Sequence, residues 1–222
     1  MKKEQWGVLL ARGAAMVITI LVWPRSVDGQ SDRELAASDA MLVAPMVAFV
    51  PGIASPERTL TLRYGAWAYH QNEPLRSSVA VTFGDSIRIG AVALTVGYIS
   101  PACKGCDASA VTLAEWERPL VSLLGLRLGA GFGRMMGNKG SGASFSASLP
   151  LTWRGQGAAL LIHPTVIVAG LESTRSQSRA VRPGLAAALQ FEGERLVGQA
   201  GAQAIALRGT GISFGGGLGW RL

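Results

Sequence analysis

The chain has 222 residues, 21 Lys+Arg against 14 Asp+Glu, 29 Gly and 2 Cys, with 49% hydrophobic and only 16% charged residues. Low charge at a mean hydropathy of +0.29 excludes a disordered chain. Two cysteines exclude a disulfide-dense miniprotein or a four-ligand structural zinc site, and the apolar runs fall short of the ~18–20 residues of a spanning helix. What remains is a Gly-rich, single β domain.

Residues 1–29 read as an export signal. Lys2, Lys3 and Arg12 precede an apolar stretch from Gly13 to Trp23, Pro24 breaks it, and Val27-Asp28-Gly29 offers short residues for cleavage. With Arg25, Glu4 and Asp28 this segment holds +2 of the formal +7, leaving a mature chain of +5. That excess is diffuse, without the Lys/Arg block that tracks a phosphate backbone, so nucleic acid is not an expected partner. Residues 30–58 include the apolar Met41–Val50, interrupted by Pro45 and followed by Pro51 and Pro56. An extra strand, a lead-in and a segment packed in the barrel mouth are the options. The prolines favour a lead-in.

From Thr59 the pattern has period two. The expected strands are Leu60–Tyr69, Ser77–Phe83, Ile87–Ile99, Ala110–Arg118, Leu124–Phe132, Ala143–Trp153, Leu160–Leu171, Val181–Phe191, Leu196–Ile205 and Ile212–Leu222. In Ala143–Trp153, Phe145, Ala147, Leu149, Leu151 and Trp153 share one face, with Ser144, Ser146, Ser148, Pro150 and Thr152 on the other. A strand sorts residues in this way and a helix scatters them. Pro150 and the pair His163-Pro164 suggest local bulges or bends. The segments approach the ~9–11 residues of a bilayer-crossing strand, against ~5–6 for ordinary soluble ones. Polar loops at His70–Arg76, Ser100–Ser109, Gly133–Gly142 and Glu172–Ala180 alternate with tighter joins at Gly84-Asp85-Ser86, Pro119–Leu123, Arg154–Ala159 and Glu192–Arg195. Long loops at one end and short turns at the other are the habit of a transmembrane barrel. The expected fold is therefore a closed antiparallel transmembrane β-barrel over residues 59–222, of about ten strands with eight as the alternative. Tyr69, Tyr98, Trp153 and Trp220 would form its aromatic girdles. A soluble exported β-sandwich binding module is the rival architecture, disfavoured because a solvated exterior should hold more Lys and Glu.

The end of the chain, Gly217-Leu218-Gly219-Trp220-Arg221-Leu222, alternates hydrophobic residues up to the last position. It resembles the terminal insertion signal of small bacterial outer-membrane β-barrel proteins, carried here by Leu218, Trp220 and Leu222, although that family usually ends in Phe or Trp. The resemblance implies a location in the outer membrane, with its lipids and its assembly machinery as partners. It carries no catalytic residues.

Among residues that could do chemistry, Cys103-Lys104-Gly105-Cys106 has redox spacing. It lies in an expected loop, no His completes a metal site, and an exported chain makes a local disulfide the better reading. Glu115 and Glu117 share a strand face. As an acid/base pair they lack a nearby nucleophile; as lumenal carboxylates they would pair with Arg63, Arg88 or Arg127. His70 near Ser77 and Ser78 invites a hydrolase reading, but no third, orienting group is evident. Gly129–Gly133 and Gly215–Gly217 lack the Lys-Ser/Thr context of a phosphate loop. No cofactor or metal pattern is present. The expected role is structural, adhesive or that of a narrow channel, with an outer-membrane lipid- or peptide-modifying hydrolase as the alternative.

Overall fold

The computed structural model describes residues 48–52, 57–68, 76–101, 108–136, 141–172, 177–206 and 210–222. The strands are β1 (Thr59–Ala68), β2 (Arg76–Ile87), β3 (Gly90–Ile99), β4 (Ser109–Pro119), β5 (Gly125–Met135), β6 (Ser141–Ser148), β7 (Leu151–Arg154), β8 (Ala158–Glu172), β9 (Gln177–Glu192), β10 (Leu196–Ala206) and β11 (Thr210–Arg221). Every neighbouring pair is antiparallel, and β1 closes the ring on β11 from Thr59↔Arg221 to Ala68↔Ile212. Since β6 and β7 both lie on β8, they are two halves of one strand, and the fold is a closed antiparallel barrel of ten strands.

The gap between those halves is Leu149-Pro150. Proline has no N–H to donate, so the ladder lapses there. It lapses without a bulge: Ser148↔Thr165 on one side and Leu151↔Ile162 on the other keep one register. Pro150 is fully buried, and its carbonyl accepts from Gly125 N at 2.9 Å. β8 likewise runs unbulged against β9 through His163↔Ala186 and Pro164↔Leu185. The bulges expected at these prolines are absent.

One turn also differs from expectation. Gly84, Asp85 and Ser86 belong to β2, paired with Ala93, Val92 and Ala91, and the chain reverses at Arg88-Ile89. Asp85 forms an ion pair with Arg58 at 2.9 Å instead of making a turn. Gly90 carries the reversal at φ 143°, and a side chain there would strike the carbonyl oxygen of Glu117. Only glycine meets both conditions.

The alternation of side chains sets the two faces. Outward stand Leu60, Leu62, Tyr64, Val79, Val81, Phe83, Leu94, Val96, Leu128, Phe132, Phe145, Leu185, Leu189, Ile212, Phe214 and Leu218, all exposed. Trp153, Phe191 and Trp220 are exposed toward the short-turn end, and Tyr98 toward the other. The interior has two layers. Toward the long-loop end it is apolar, with Trp67, Ile99, Val111, Leu113, Ile167 and Ile205 all buried. Below them it is polar and charged.

Candidate functional site

The polar layer of the lumen is where this chain concentrates its chemistry. β1 supplies Arg63, β2 Ser78, β4 Glu115 and Glu117, β5 Arg127, β6 Ser148, β8 His163, β9 Gln190 and β10 Gln199 and Gln203. Each sits at an inward position of its strand, and Arg63, Arg127, Ser148, His163, Gln190 and Gln203 are buried.

Arg127 is the hub. Glu117 stands directly opposite it across the β4–β5 ladder. Arg127 Nε donates to Glu117 Oε2 at 2.8 Å and Nη2 lies 2.7 Å from the same oxygen. Glu115 Oε1 lies 3.8 Å from Nη1. The same guanidinium donates through Nη2 to the carbonyl of Gly52 at 2.6 Å. A buried arginine with one tight carboxylate, a second nearby and a carbonyl acceptor is paired and hydrogen-bonded through Nε and Nη2, while its Nη1 has no hydrogen-bond partner among the described residues.

That carbonyl belongs to a strap running through the lumen. Where the sequence favours a lead-in for residues 30–58, the structure finds Ala48–Val50 within the barrel at 0–3% exposure, with Pro51 also buried. Ser78 Oγ donates to the carbonyl of Ala48 at 2.6 Å. Arg63 Nη2 donates to the carbonyl of Val50, and its guanidinium carbon sits 5.7 Å over the Phe49 ring. Val50 packs with Ala159, Leu161 and Ala188. The wall leaves room for these side chains at two glycines. A Cβ on Gly97 would come within 2.7 Å of Phe49 Cζ, and one on Gly201 within 2.7 Å of Val50 Cγ1. Burying Phe49 and Val50 contributes about 1.5–3 kcal/mol each. Hydrogen bonds from charged donors add about 1.5–3 kcal/mol apiece.

Little space is left. A cavity of about 80 Å³ lies toward the short-turn end, with Thr59, Arg63, Glu115, Glu117, Arg127 and Gln199 among its lining. A second, of about 20 Å³, lies beside Phe49 and His163. An open hollow of about 560 Å³ at the short-turn rim is bordered by Arg88, Arg118, Arg154 and Val121.

Ser148 Oγ and His163 Nε2 are 2.6 Å apart, the spacing of a nucleophile and its base. Nδ1 of His163 has no hydrogen-bond partner among the described residues, so none of them supplies the third, orienting group of a triad. The adjoining cavity holds about one water.

Of the residues that the sequence singles out, Arg127, Glu115 and Glu117 come together, and Arg63 faces the same lumen but directs its contacts to the strap. Arg88 does not join them. It is exposed in the β2–β3 turn, because the reversal comes after Ile87 and not at Gly84–Ser86, and this corrects its lumenal placement. Leu218, Trp220 and Leu222 are exposed on the outer face and at the chain end, with Leu222 N donating to Arg58 O at 3.0 Å. Cys103, Cys106, Tyr69 and His70 lie outside the described residues. Ser77 and Ser78, the expected neighbours of His70, bond elsewhere: Ser77 with Ser100 Oγ at 3.0 Å, Ser78 with the strap. Among the described residues, no group of three His, Cys, Asp or Glu could hold a metal ion.

Sequence reading favoured a lead-in over a packed segment for Met41–Val50 and missed the Ser148–His163 contact. The second was within reach, since Ser148 falls on the Ser face of its strand and His163 in the next expected strand along the same wall. For the strap, the apolar run pointed inward and its prolines pointed away, while the bonds that Arg63 and Ser78 make to its carbonyls are not visible in sequence.

No protein-family model matches the chain, and no curated protein matches it. Among solved structures it is similar to LpxR from Salmonella typhimurium, at 11% identity over 73% of this chain and 100% of that one, with a TM-score of 0.43. The translocator domain of autotransporter NalP from Neisseria meningitidis is similar at 14% identity over 86% and 94%, TM-score 0.43. Ail, the attachment invasion locus protein of Yersinia pestis, is similar at 11% identity over 77% and 100%, TM-score 0.34. These neighbours are bacterial outer-membrane β-barrel proteins, the family that the C-terminal residues resemble. At such scores the likeness is one of barrel type and says nothing of activity.

Proposed function

We propose that this chain is an outer-membrane β-barrel with a closed lumen, acting in a structural or adhesive role and not as a channel or hydrolase. One observation carries the reading: an outward band rich in Leu, Val, Ile and Phe surrounds an interior packed with buried side chains and the strap. An exposed apolar surface of this extent is stable only against hydrocarbon or a partner, and the alternation of apolar exterior with packed interior is that of a membrane barrel. Inside, Trp67, Ile99, Val111, Ile167 and Ile205 form an apolar layer, and the strap with the Arg127 cluster forms a second. Among the described residues, cavities of about 80 and 20 Å³ lie beside them.

On this reading residues 1–29 are the cleaved export signal, Leu218, Trp220 and Leu222 are read by the outer-membrane assembly machinery, and Cys103–Cys106 pins the loop between β3 and β4. The test is reconstitution of the heat-modifiable, detergent-extracted barrel into planar bilayers. No unitary current is expected at any voltage. Ohmic steps from the folded protein would overturn the closed-lumen reading, and recovery in the soluble periplasm without detergent would overturn the membrane one.

A further inference from the structure

The contacts of the strap form a recognition pattern as well as a filling. Its carbonyls at Ala48, Val50 and Gly52 are each met by a donor from a different strand: Ser78 on β2, Arg63 on β1 and Arg127 on β5. Three donors from three strands thus meet alternate carbonyls of one short segment. Side chains are read separately. Phe49 lies against the guanidinium of Arg63 and over the gap at Gly97, while Val50 fills the gap at Gly201 against Leu161 and Ala188. Backbone bonds for affinity with pockets for particular side chains is how peptides are recognised in general.

We infer that the lumen is a binding site for a peptide of aromatic–β-branched–proline type, occupied in cis by Ala48–Gly52 and able to take the same segment in trans once the strap is displaced. The inference rests on the closed-lumen reading only in that the strap is the resident ligand. Arg63, Arg127 and Ser78 bind its backbone, and the gaps at Gly97 and Gly201 select its side chains. The covalent tether accounts for occupancy, because it holds the segment at a high effective concentration beside its site.

The experiment uses the full chain with Ala48–Gly52 replaced by Gly-Ser-Gly-Ser-Gly, refolded in micelles, with heat-modifiable migration as the check on folding. The probe is a fluorescein-labelled, end-capped Ala-Phe-Val-Pro-Gly peptide. The replaced chain should bind it at least tenfold more tightly than wild type, whose site is full. A scrambled peptide of the same composition should not bind. Arg63→Met in the replaced background should weaken binding about tenfold. Equal binding by wild type and replaced chain, or equal binding of the scrambled peptide, would overturn the inference. Where the replacement does not fold, the milder Phe49→Ala, Val50→Ala variant, which keeps the strap but empties its pockets, takes its place: tighter binding than wild type supports the inference and equal binding overturns it. The peptide assay is independent of conductance. A conducting wild type would sink the closed-lumen reading and leave this result to stand or fall alone.

Discussion

Replacing Arg127 with methionine keeps most of the side-chain volume and removes the charge at the hub of the lumen. Glu117 would lose its tight partner, with contacts of 2.7 and 2.8 Å, Glu115 a counter-ion at 3.8 Å, and Gly52 a donor at 2.6 Å. The arginine side chain is 6% exposed, and those of the two glutamates 14% and 15%, so water does little to compensate. Removing one member of a buried pair costs about 3–5 kcal/mol, mostly because the remaining charge is left uncompensated. Arg127→Met should therefore destabilise the barrel by about 4 kcal/mol in urea titrations of the refolded protein in micelles. Since attraction falls with distance, the Glu117 contact is about 1.4-fold stronger than that of Glu115, and it alone is hydrogen-bonded. Glu117→Gln should thus cost more than Glu115→Gln. The double variant Arg127→Met, Glu117→Gln should recover most of the loss, the non-additivity expected of residues in contact. A loss under about 1 kcal/mol for Arg127→Met, or strict additivity in the double variant, would refute the view that this pair is desolvated.

Three further outcomes are expected. Gly201→Val should overpack both wall and strap, since its Cβ would strike the Ala187 carbonyl oxygen and meet Val50 Cγ1 at 2.7 Å and Ala188 Cα at 2.9 Å. The cost should be about 1–3 kcal/mol by the same titration, relieved in part by Val50→Ala. Gly90→Ala should cost about 1–3 kcal/mol through its positive φ and its collision with the Glu117 carbonyl, seen as a lower midpoint in heat-modifiable migration. Phe145→Lys, at a side chain 62% exposed on the outer face, should destabilise the barrel in lipid vesicles by up to about 2–4 kcal/mol. No change there would mean that the outer band does not face hydrocarbon.

The barrel was legible because a strand whose two sides meet different surroundings writes them into alternate residues. Phe145 and Ser144, or Leu218 and Gly217, needed no more than parity to be sorted. The same parity, with β4 and β5 adjacent, put Glu117 and Arg127 on one face and within reach. Arg88 was misplaced for a related reason. Gly84-Asp85-Ser86 has the composition of a turn, but strand composition near a barrel rim, where Asp85 can bond Arg58, looks much the same. Starting β3 at Ile87 then carried Arg88 into the wall. Pro150 and Pro164 suggested bulges because a missing donor is visible in sequence, whereas a neighbouring carbonyl that tolerates its absence is not. The strap was half legible: the apolar Met41–Val50 allowed a packed segment, and Pro45, Pro51 and Pro56 argued for a lead-in. What holds Ala48–Gly52 inside is a set of donors on β1, β2 and β5, and no window of sequence contains both partners.

The fit of Phe49 over Gly97 and of Val50 over Gly201 makes inner wall and strap a single steric unit divided between distant parts of the chain. Bulk gained on one side must be surrendered on the other. In descendants of a common ancestor, a larger residue at position 97 should come with a smaller one at 49, and likewise for 201 and 50, while outward-facing neighbours such as Val96 and Ala202 drift without such a counterpart.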